Sequence, residues 1–214
     1  SEDCLDNGTA LAGVAAGESY GVAKQAGVVG VRVLDCQGSG TTEDIIAAVD
    51  WVAKDAEGKA AVATIGFGGG PDDALDSAID GGVSFAVPAG SSEADACQFS
   101  PGRTPDALTV GGTETGTDTR IERSNTGSCL DLFAPATDIT TASHEDDTSG
   151  TGFSGTAAAA AHVAGAAALY LGTAPEADPA TVTAEITGNA TPDVVVYPGE
   201  ESPNLLLYTG FLMS

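Results

Sequence analysis

Short apolar runs alternate with helical patterns along most of the chain. Residues 28–34 (VVGVRVL) predict a buried strand, and the segment after Thr41 predicts a helix whose apolar positions recur at helical spacing, namely Ile45, Ile46, Val49 and Val52. The alternation continues with strands predicted at 60–65, 83–87, 107–110 and 129–133, and with helices at 72–79, from about Thr156, and at 179–187.

This order of elements predicts an α/β fold. Strands that alternate with helices need crossover connections, which give a mostly parallel sheet with helices on both faces. Ligands of such sheets bind beyond the carboxyl ends of the strands. We therefore expect a functional site where the loops at 66–70, 89–93 and 150–156 meet.

Length and composition exclude several classes of protein. The chain has 214 residues, of which 42% are hydrophobic, so we expect one folded domain. No apolar run reaches the roughly 18 residues that predict a membrane span. Seven Lys and Arg against 31 Asp and Glu give a net charge of −24, which argues against a nucleic-acid partner because no basic surface is available for phosphates. Solubility or a salty medium accounts for the acidity more simply than a cationic partner does.

Four cysteines form two pairs with the same separation. Cys4 and Cys36 are as far apart as Cys97 and Cys129, and none lies in the C-x-x-C spacing of zinc or redox motifs. This pattern favours disulfides within each pair in a secreted protein. The alternative is four buried free thiols in a cytosolic protein.

The two histidines offer little for catalysis. His144 lies in an acidic loop and is predicted to be solvated, and His162 lies inside the alanine-rich helix, where a buried structural role is favoured. Neither has a nucleophile beside it in the sequence.

Several motifs resemble those of the subtilisin-like serine proteases (subtilases), in their aqualysin and proteinase K branch. SGTAAAAAHVAG at 154–165 resembles the nucleophile motif S-G-T-S-M-A-T-P-H-V-A-G, and DCLDNGTALAG at 3–13 resembles the histidine motif D-C-N-G-H-G-T-H-V-A-G. IGFGGG at 65–70 is similar to the substrate-strand S-L-G-G-G, and further matches follow in order over nearly the whole chain. The resemblance implies a subtilisin-like three-layer sandwich, with residues 1–214 forming one subtilase-like domain that is incomplete at its N-terminus.

The catalytic positions of the family carry other residues here. The nucleophilic serine corresponds to Ala157, the general-base histidine to Asn7 and the oxyanion asparagine to Ser91, while the catalytic aspartate would precede Ser1. In subtilisin, loss of the serine alone lowers kcat by about 2 × 10⁶. We therefore expect a secreted pseudoprotease that acts as a binding or structural component of an extracellular assembly. The alternatives are a peptidase that works with substitute residues or a complementing chain, and a decoy or inhibitor that uses the inherited groove.

The resemblance also implies a peptide groove. In the family the substrate lies as an extended strand between two segments, which here contain Gly38 and Ser39 on one side and Gly66, Phe67 and Gly68 on the other. The serine and leucine of the family correspond here to Gly66 and Phe67, and Phe67 is expected to plug the pocket.

A structural calcium ion is a further implication. The strong calcium site of the branch corresponds to the Asp131 carboxylate with the carbonyl oxygens of Pro105 and Ala107. Oxygen ligands of this kind suit a hard cation. The branch also has two disulfides at the positions of the two cysteine pairs.

The family places an aspartate-bearing strand between the strands predicted here at 28–34 and 60–65. Without it these two strands would lie about 10 Å apart, twice the normal spacing. Either they pair directly, or a second polypeptide supplies the missing strand. We expect the second polypeptide.

Overall fold

A computed structural model describes residues 3–80, 82–146 and 148–212. Its main sheet has the strand order β1-β2-β3-β4-β8-β7, in which only β7 is antiparallel to its neighbour. A separate antiparallel hairpin pairs β5 with β6. The strands are β1 (Val62–Thr64), β2 (Ser84–Pro88), β3 (Leu108–Thr113), β4 (Leu132–Pro135), β5 (Ile139–Ala142), β6 (Gly150–Phe153), β7 (Thr191–Pro192) and β8 (Leu205–Leu206).

Helices pack on both faces of this sheet, so the predicted α/β class is confirmed. They are α1 (Asn7–Ala16), α2 (Thr42–Asp55), α3 (Asp73–Ile79), α4 (Thr156–Thr173) and α5 (Pro179–Gly188), with short 3-10 turns at Ala96–Gln98 and Gly210–Leu212. Successive side chains of β2 point to opposite faces of the sheet. Phe85 and Val87 pack in the core that includes α2 and α3, and Ala86 packs in the core that includes α4 and α5.

Small residues let α4 approach its neighbours closely. Its alanines from Ala158 to Ala161 are completely buried against the sheet and α1. A Cβ atom on Gly165 would lie 2.6 Å from the carbonyl oxygen of Ala15, so only glycine fits where α4 crosses α1. The sequence analysis did not predict α1, which is short and rich in small residues.

The strand predicted at 28–34 is wrong. The segment has no regular secondary structure within the described chain, and Val28, Val29 and Val31 are 57%, 67% and 38% exposed. The physical reason is that an apolar run becomes a buried strand only when a neighbouring strand and a covering layer are in contact with it. Direct pairing of this segment with residues 60–65, the alternative to a second polypeptide, is not formed, because β1 bonds only to β2 in the described part of the chain.

The other predicted strands are present with shifted bounds. The largest shift is at β4, which was predicted from Cys129 and begins at Leu132. Residues 127–130 form a turn, in which the Leu130 amide donates to the Gly127 carbonyl, and Cys129 is bonded to Cys97. Both predicted disulfides, Cys4–Cys36 and Cys97–Cys129, are confirmed.

Candidate functional site

A cleft of ≈ 400 Å³ lies beyond the carboxyl ends of β1 and β2, next to the N-terminus of α4. The three loops singled out by the topology, at 66–70, 89–93 and 150–156, all contribute to it. It is lined by Asn7, Gly66, Phe67, Gly68, Gly69, Pro88, Ala89, Gly90, Ser91, Ser92, Phe99, Ser100, Gly102, Phe153, Ser154, Gly155, Thr156 and Ala157.

The structure brings together the three residues at the family's catalytic positions. Asn7 is the first residue of α1, Ala157 lies in the first turn of α4, and Ser91 follows β2, and all three line the cleft. The first backbone N–H groups of a helix have no partner inside the helix, and the helix dipole makes its N-terminus favourable for negative charge. The start of α4 can therefore stabilise a developing oxyanion, whatever side chain stands at position 157.

Three hydroxyl groups lie beside this helix end, and one of them, Ser91, stands where the family has a longer asparagine. The Ser91 Oγ lies 3.4 Å from the Thr156 Oγ1, so the two hydroxyls form one hydrogen-bonded pair at the cleft. Ser154 is a further hydroxyl on the lining, and its Oγ accepts a bond from the Asp138 backbone N–H. The cleft thus holds both hydroxyl groups and helix-end N–H groups.

Asn125 holds the loop that carries Ser91, and the sequence analysis missed it. Its amide donates to the Ala89 carbonyl at 2.8 Å, and its carbonyl oxygen accepts from the N–H groups of Ser92 and Ala94. Gly90 has a φ of 97°, and a Cβ there would lie 2.5 Å from the Asn125 Nδ2. A fully buried asparagine with partners more than thirty residues away has no local sequence signal, although it lies in the segment NTGSCLDLFAPA that resembles the family.

In the wall formed by residues 66–69, a leucine of α1 fills the space beside a glycine. A Cβ on Gly66 would lie 2.0 Å from the Leu11 Cδ1, so the leucine occupies the space that a side chain at 66 would need. Phe67 packs partly against the core shared by α2 and α3. It lines the cleft without filling it.

The other predicted wall lies elsewhere. Gly38 and Ser39 are exposed, and residues 37–40 are not among the described residues that line the cleft. The Asp35 carboxylate accepts bonds from the backbone N–H groups of Ser39 and Gln37, which lower the pKa of Asp35. These bonds close a separate turn, so the structure does not bring Gly38 and Ser39 to residues 66–68.

The histidines lie outside the lining of the cleft. His162 bonds through Nδ1 to the Ala158 carbonyl at 2.8 Å within α4, and burial lowers its pKa. His144 pairs with the Asp6 carboxylate, whose Oδ1 lies 3.1 Å from the His144 Nδ1 and also accepts the His144 backbone N–H. Asp6, the acidic member of this pair, directly precedes Asn7 in the chain.

Asp131, the carboxylate of the predicted calcium site, lies next to β3. Its Oδ2 accepts a bond from the Thr109 N–H at 2.7 Å, and burial raises the pKa of this carboxyl to about 6. Among the described residues, no three His, Cys, Asp or Glu side chains form a metal-binding group. A cation here would therefore depend on carbonyl oxygens such as those of Pro105 and Ala107.

Two relatives that are identical to this chain at nearly half of the aligned residues are named as proteases. The chain is 48% identical to the extracellular serine proteinase of Thermus sp. (strain Rt41A), covering 99% of this chain and 52% of the relative. It is 47% identical to the alkaline serine exoprotease A of Vibrio alginolyticus, covering 98% and 39%. The chain therefore spans about half or less of the length of these relatives.

These findings contradict the prediction of a pseudoprotease and of an inactive homologue. Relatives that match along the whole chain are named as active enzymes, and no comparison indicates a loss of activity. The prediction counted missing side chains one by one. It expected at most weak electrostatic catalysis from the cleft, although in subtilisin the oxyanion hole and substrate binding still provide about 10³–10⁴-fold catalysis without the triad.

The structural comparison and the family model lead to the same family. The crystal structure of a cold adapted subtilisin-like serine proteinase superposes with a TM-score of 0.92 at 46% identity, covering 98% of this chain and 76% of that one. The fold is thus subtilisin-like. The family model for the subtilase family matches residues 2–206. The chain belongs to the subtilase family.

Proposed function

We propose that this chain carries the substrate cleft of an extracellular subtilase that hydrolyses peptide bonds. The observation that carries the proposal is the convergence of Asn7, Ser91 and Ala157 on one cleft, in a chain nearly half identical to named serine proteinases. A cleft at the end of a parallel sheet suits an extended peptide, because backbone groups at its walls can bind the peptide main chain.

Two groups of this chain stabilise the oxyanion in this proposal. One is the backbone N–H of Ala157 at the start of α4, and the other is the Ser91 hydroxyl beside it. Both can donate a hydrogen bond to the carbonyl oxygen as it gains charge. Donors of this kind each contribute about 10²–10³ in kcat.

The attacking hydroxyl comes from a substitute position. Because Ala157 carries only a methyl group, we assign the attack to a hydroxyl on the cleft wall, Ser154 or Thr156, or to one from a complementing chain. Its oxygen bonds to the carbonyl carbon, the C–N bond breaks, the hydroxyl proton goes to the leaving amine, and water then releases the acyl group.

A fluorophosphonate probe tests this directly. The probe forms a covalent bond between its phosphorus and a reactive hydroxyl oxygen, with loss of fluoride. Native material should become labelled, and mass spectrometry of the digest should place the label on Ser154, on Thr156 or on a copurified polypeptide. Absence of both labelling and peptide cleavage in the complete native assembly would overturn the proposal.

We also propose that a second polypeptide pairs with the edge of β1. This strand has a partner on one side only in the described sheet, and the nearby sequence at 28–34 exposes three valines. An extended strand laid along β1 would bond its free backbone groups and cover apolar surface. The native mass should exceed 21.0 kDa and fall to this chain plus another on denaturation, whereas a lone 21.0 kDa species would contradict the idea.

Secretion of this chain is part of the proposal. The Thermus relative is named extracellular, and no described helix is long and apolar enough to cross a membrane. Disulfides persist mainly in oxidising compartments, which agrees with an extracellular location.

We propose a calcium ion at Asp131. A largely buried carboxylate that accepts the Thr109 N–H suits a cation, and in this proposal the carbonyl oxygens of Pro105 and Ala107 would be its further ligands. Calcium at about 100 times its Kd should stabilise the wild type by about 2.7 kcal/mol and Asp131→Asn much less. The measurement is thermal unfolding with calcium or with chelator, and equal shifts in both proteins would contradict the site.

A further inference from the structure

The loop 99–104 forms one side of the cleft and is fastened to α3 from behind. Phe99, Ser100 and Gly102 line the cleft. From α3, the Asp76 carboxylate accepts three bonds from this loop: Oδ2 from the Ser100 Oγ at 3.0 Å and from the Arg103 Nε at 2.6 Å, and Oδ1 from the Thr104 Oγ1 at 2.9 Å. One carboxylate thus fixes three residues of the loop.

Ser100 connects this loop to the wall formed by residues 66–69. Its backbone carbonyl accepts the N–H of Gly69 at 2.9 Å, and the two residues form an isolated β-bridge. Its Oγ also accepts the N–H of Asp72, which precedes α3, at 2.8 Å. The position of Ser100 therefore sets the separation between the loop 99–104 and the wall 66–69.

The charge at Asp76 is balanced and largely removed from solvent. Its side chain is 14% exposed, and the Arg103 guanidinium lies against it. The same guanidinium bonds to Asp73, whose side chain is almost fully exposed. Loss of Asp76 would leave three buried or half-buried donors without this acceptor, whereas loss of Asp73 leaves the contacts of Asp76 unchanged.

We propose that Asp76 is a positioning residue for the peptide cleft. By holding Ser100, Arg103 and Thr104, it keeps the two walls at the separation that a substrate side chain needs. This role rests on the proposed function, because it matters only if a peptide enters the cleft. Asp76 itself does not line the cleft, so it acts through Ser100.

The test compares Asp76→Asn with Asp73→Asn, a matched change on the same helix and the same arginine. A fluorescein-labelled hexapeptide with a central phenylalanine serves as the probe. The peptide bond after this phenylalanine is reduced to CH2–NH, so the probe resists hydrolysis, and its Kd is measured by fluorescence anisotropy with native material. Asp76→Asn should raise Kd about tenfold, as expected for loss of hydrogen bonds to a charged group. Asp73→Asn should change it less than about twofold, since its ion pair is exposed.

A second readout does not depend on peptide binding. Hydrogen exchange of the Gly69 amide should become faster in Asp76→Asn and stay unchanged in Asp73→Asn, while the amides of α4 stay protected in both. Thr104→Val removes one of the three bonds and should give an intermediate rate, which keeps the test informative if Asp76→Asn folds poorly. Unchanged Gly69 exchange, or an unchanged Kd in a protein that binds the probe, would overturn the proposal. If wild-type protein binds no peptide, the proposed function fails instead, and the exchange rates alone decide on Asp76.

Discussion

Two apolar segments of similar composition have opposite fates in this molecule. Val87 in β2 is completely buried, with strands on both sides and helices on both faces, whereas Val29 in the segment 28–34 is 67% exposed. Composition alone does not distinguish VSFAV from VVGVRV. The difference lies in the neighbours, since a strand is stabilised by the groups that pair with it and cover it.

The largest expected effect is a loss of folding stability on replacing the fully buried Asn125. Asn125→Ala should lower the free energy of unfolding by about 3 kcal/mol, because it breaks three hydrogen bonds and leaves buried partners unsatisfied. Asn189→Ala is the control, because its amide bonds only to Glu185 in its own helix end and is exposed. The control should lose about 0.5 kcal/mol or less in chemical denaturation. Similar losses for both variants would show that Asn125 does not hold the cleft loop.

An identical substitution in the two segments tests the comparison itself. Val87→Ala should cost about 2 kcal/mol, through lost burial and the cavity that remains. Val29→Ala should cost less than about 0.5 kcal/mol in the isolated chain. Chemical denaturation of the isolated chain and of the native assembly measures the loss of unfolding free energy for each variant. If a second polypeptide covers Val29, the loss caused by Val29→Ala should be larger in the assembly. Equal costs in the isolated chain would mean that residues 28–34 are buried in solution.

The smallest effect is a difference in acid sensitivity. Hydrogen bonds from Thr181 lower the pKa of Asp178 at the start of α5, and the bond from the Ser39 N–H lowers that of Asp35. A lowered pKa in the folded state stabilises the protein above the unfolded value of about 3.9. That contribution is lost as the pH falls through the lower folded value.

Of these two residues, only Asp178 should influence the unfolding of the whole domain. Asp178→Asn keeps a capping side chain but removes the charge, so its Tm should lie below that of the wild type near pH 7, and the gap should close in acid. Asp35→Asn should leave Tm unchanged at every pH, because the exposed turn can open locally without unfolding the core. A constant gap for Asp178→Asn across the acid range would contradict this account.

Local sequence patterns were sufficient to predict several strands and helices. Apolar runs located β2 and β3, and the small-residue run at 157–161 located α4. The helix α1 was missed because its small residues give no clear apolar period, and its stability comes from contacts with α4 and β5. The strand at 28–34 was wrong because pairing is a property of the neighbours.

The site was predicted from topology better than from side chains. The rule on strand ends located the three loops that meet at the cleft, but the roles of Asn125 and Asp76 depend on partners more than twenty residues away. The prediction of inactivity failed for a related reason, because it considered single side chains at Asn7, Ser91 and Ala157. The start of α4 was predicted from the sequence, but the backbone N–H groups that it provides were treated as a weak contribution.

The most direct test of the central claim is peptide cleavage by native material. An unfolded protein substrate is incubated with the native assembly, and the products are identified by mass spectrometry. We expect cleavage, with Ser91→Ala lowering kcat about 10²-fold or more through loss of an oxyanion donor. The control is Ser77→Ala, which removes an exposed hydroxyl on α3 that donates to the Asp73 carbonyl and lies outside the cleft lining, and it should retain the wild-type rate. No cleavage above buffer by the native assembly, together with no fluorophosphonate labelling, would contradict the claim that this cleft hydrolyses peptide bonds.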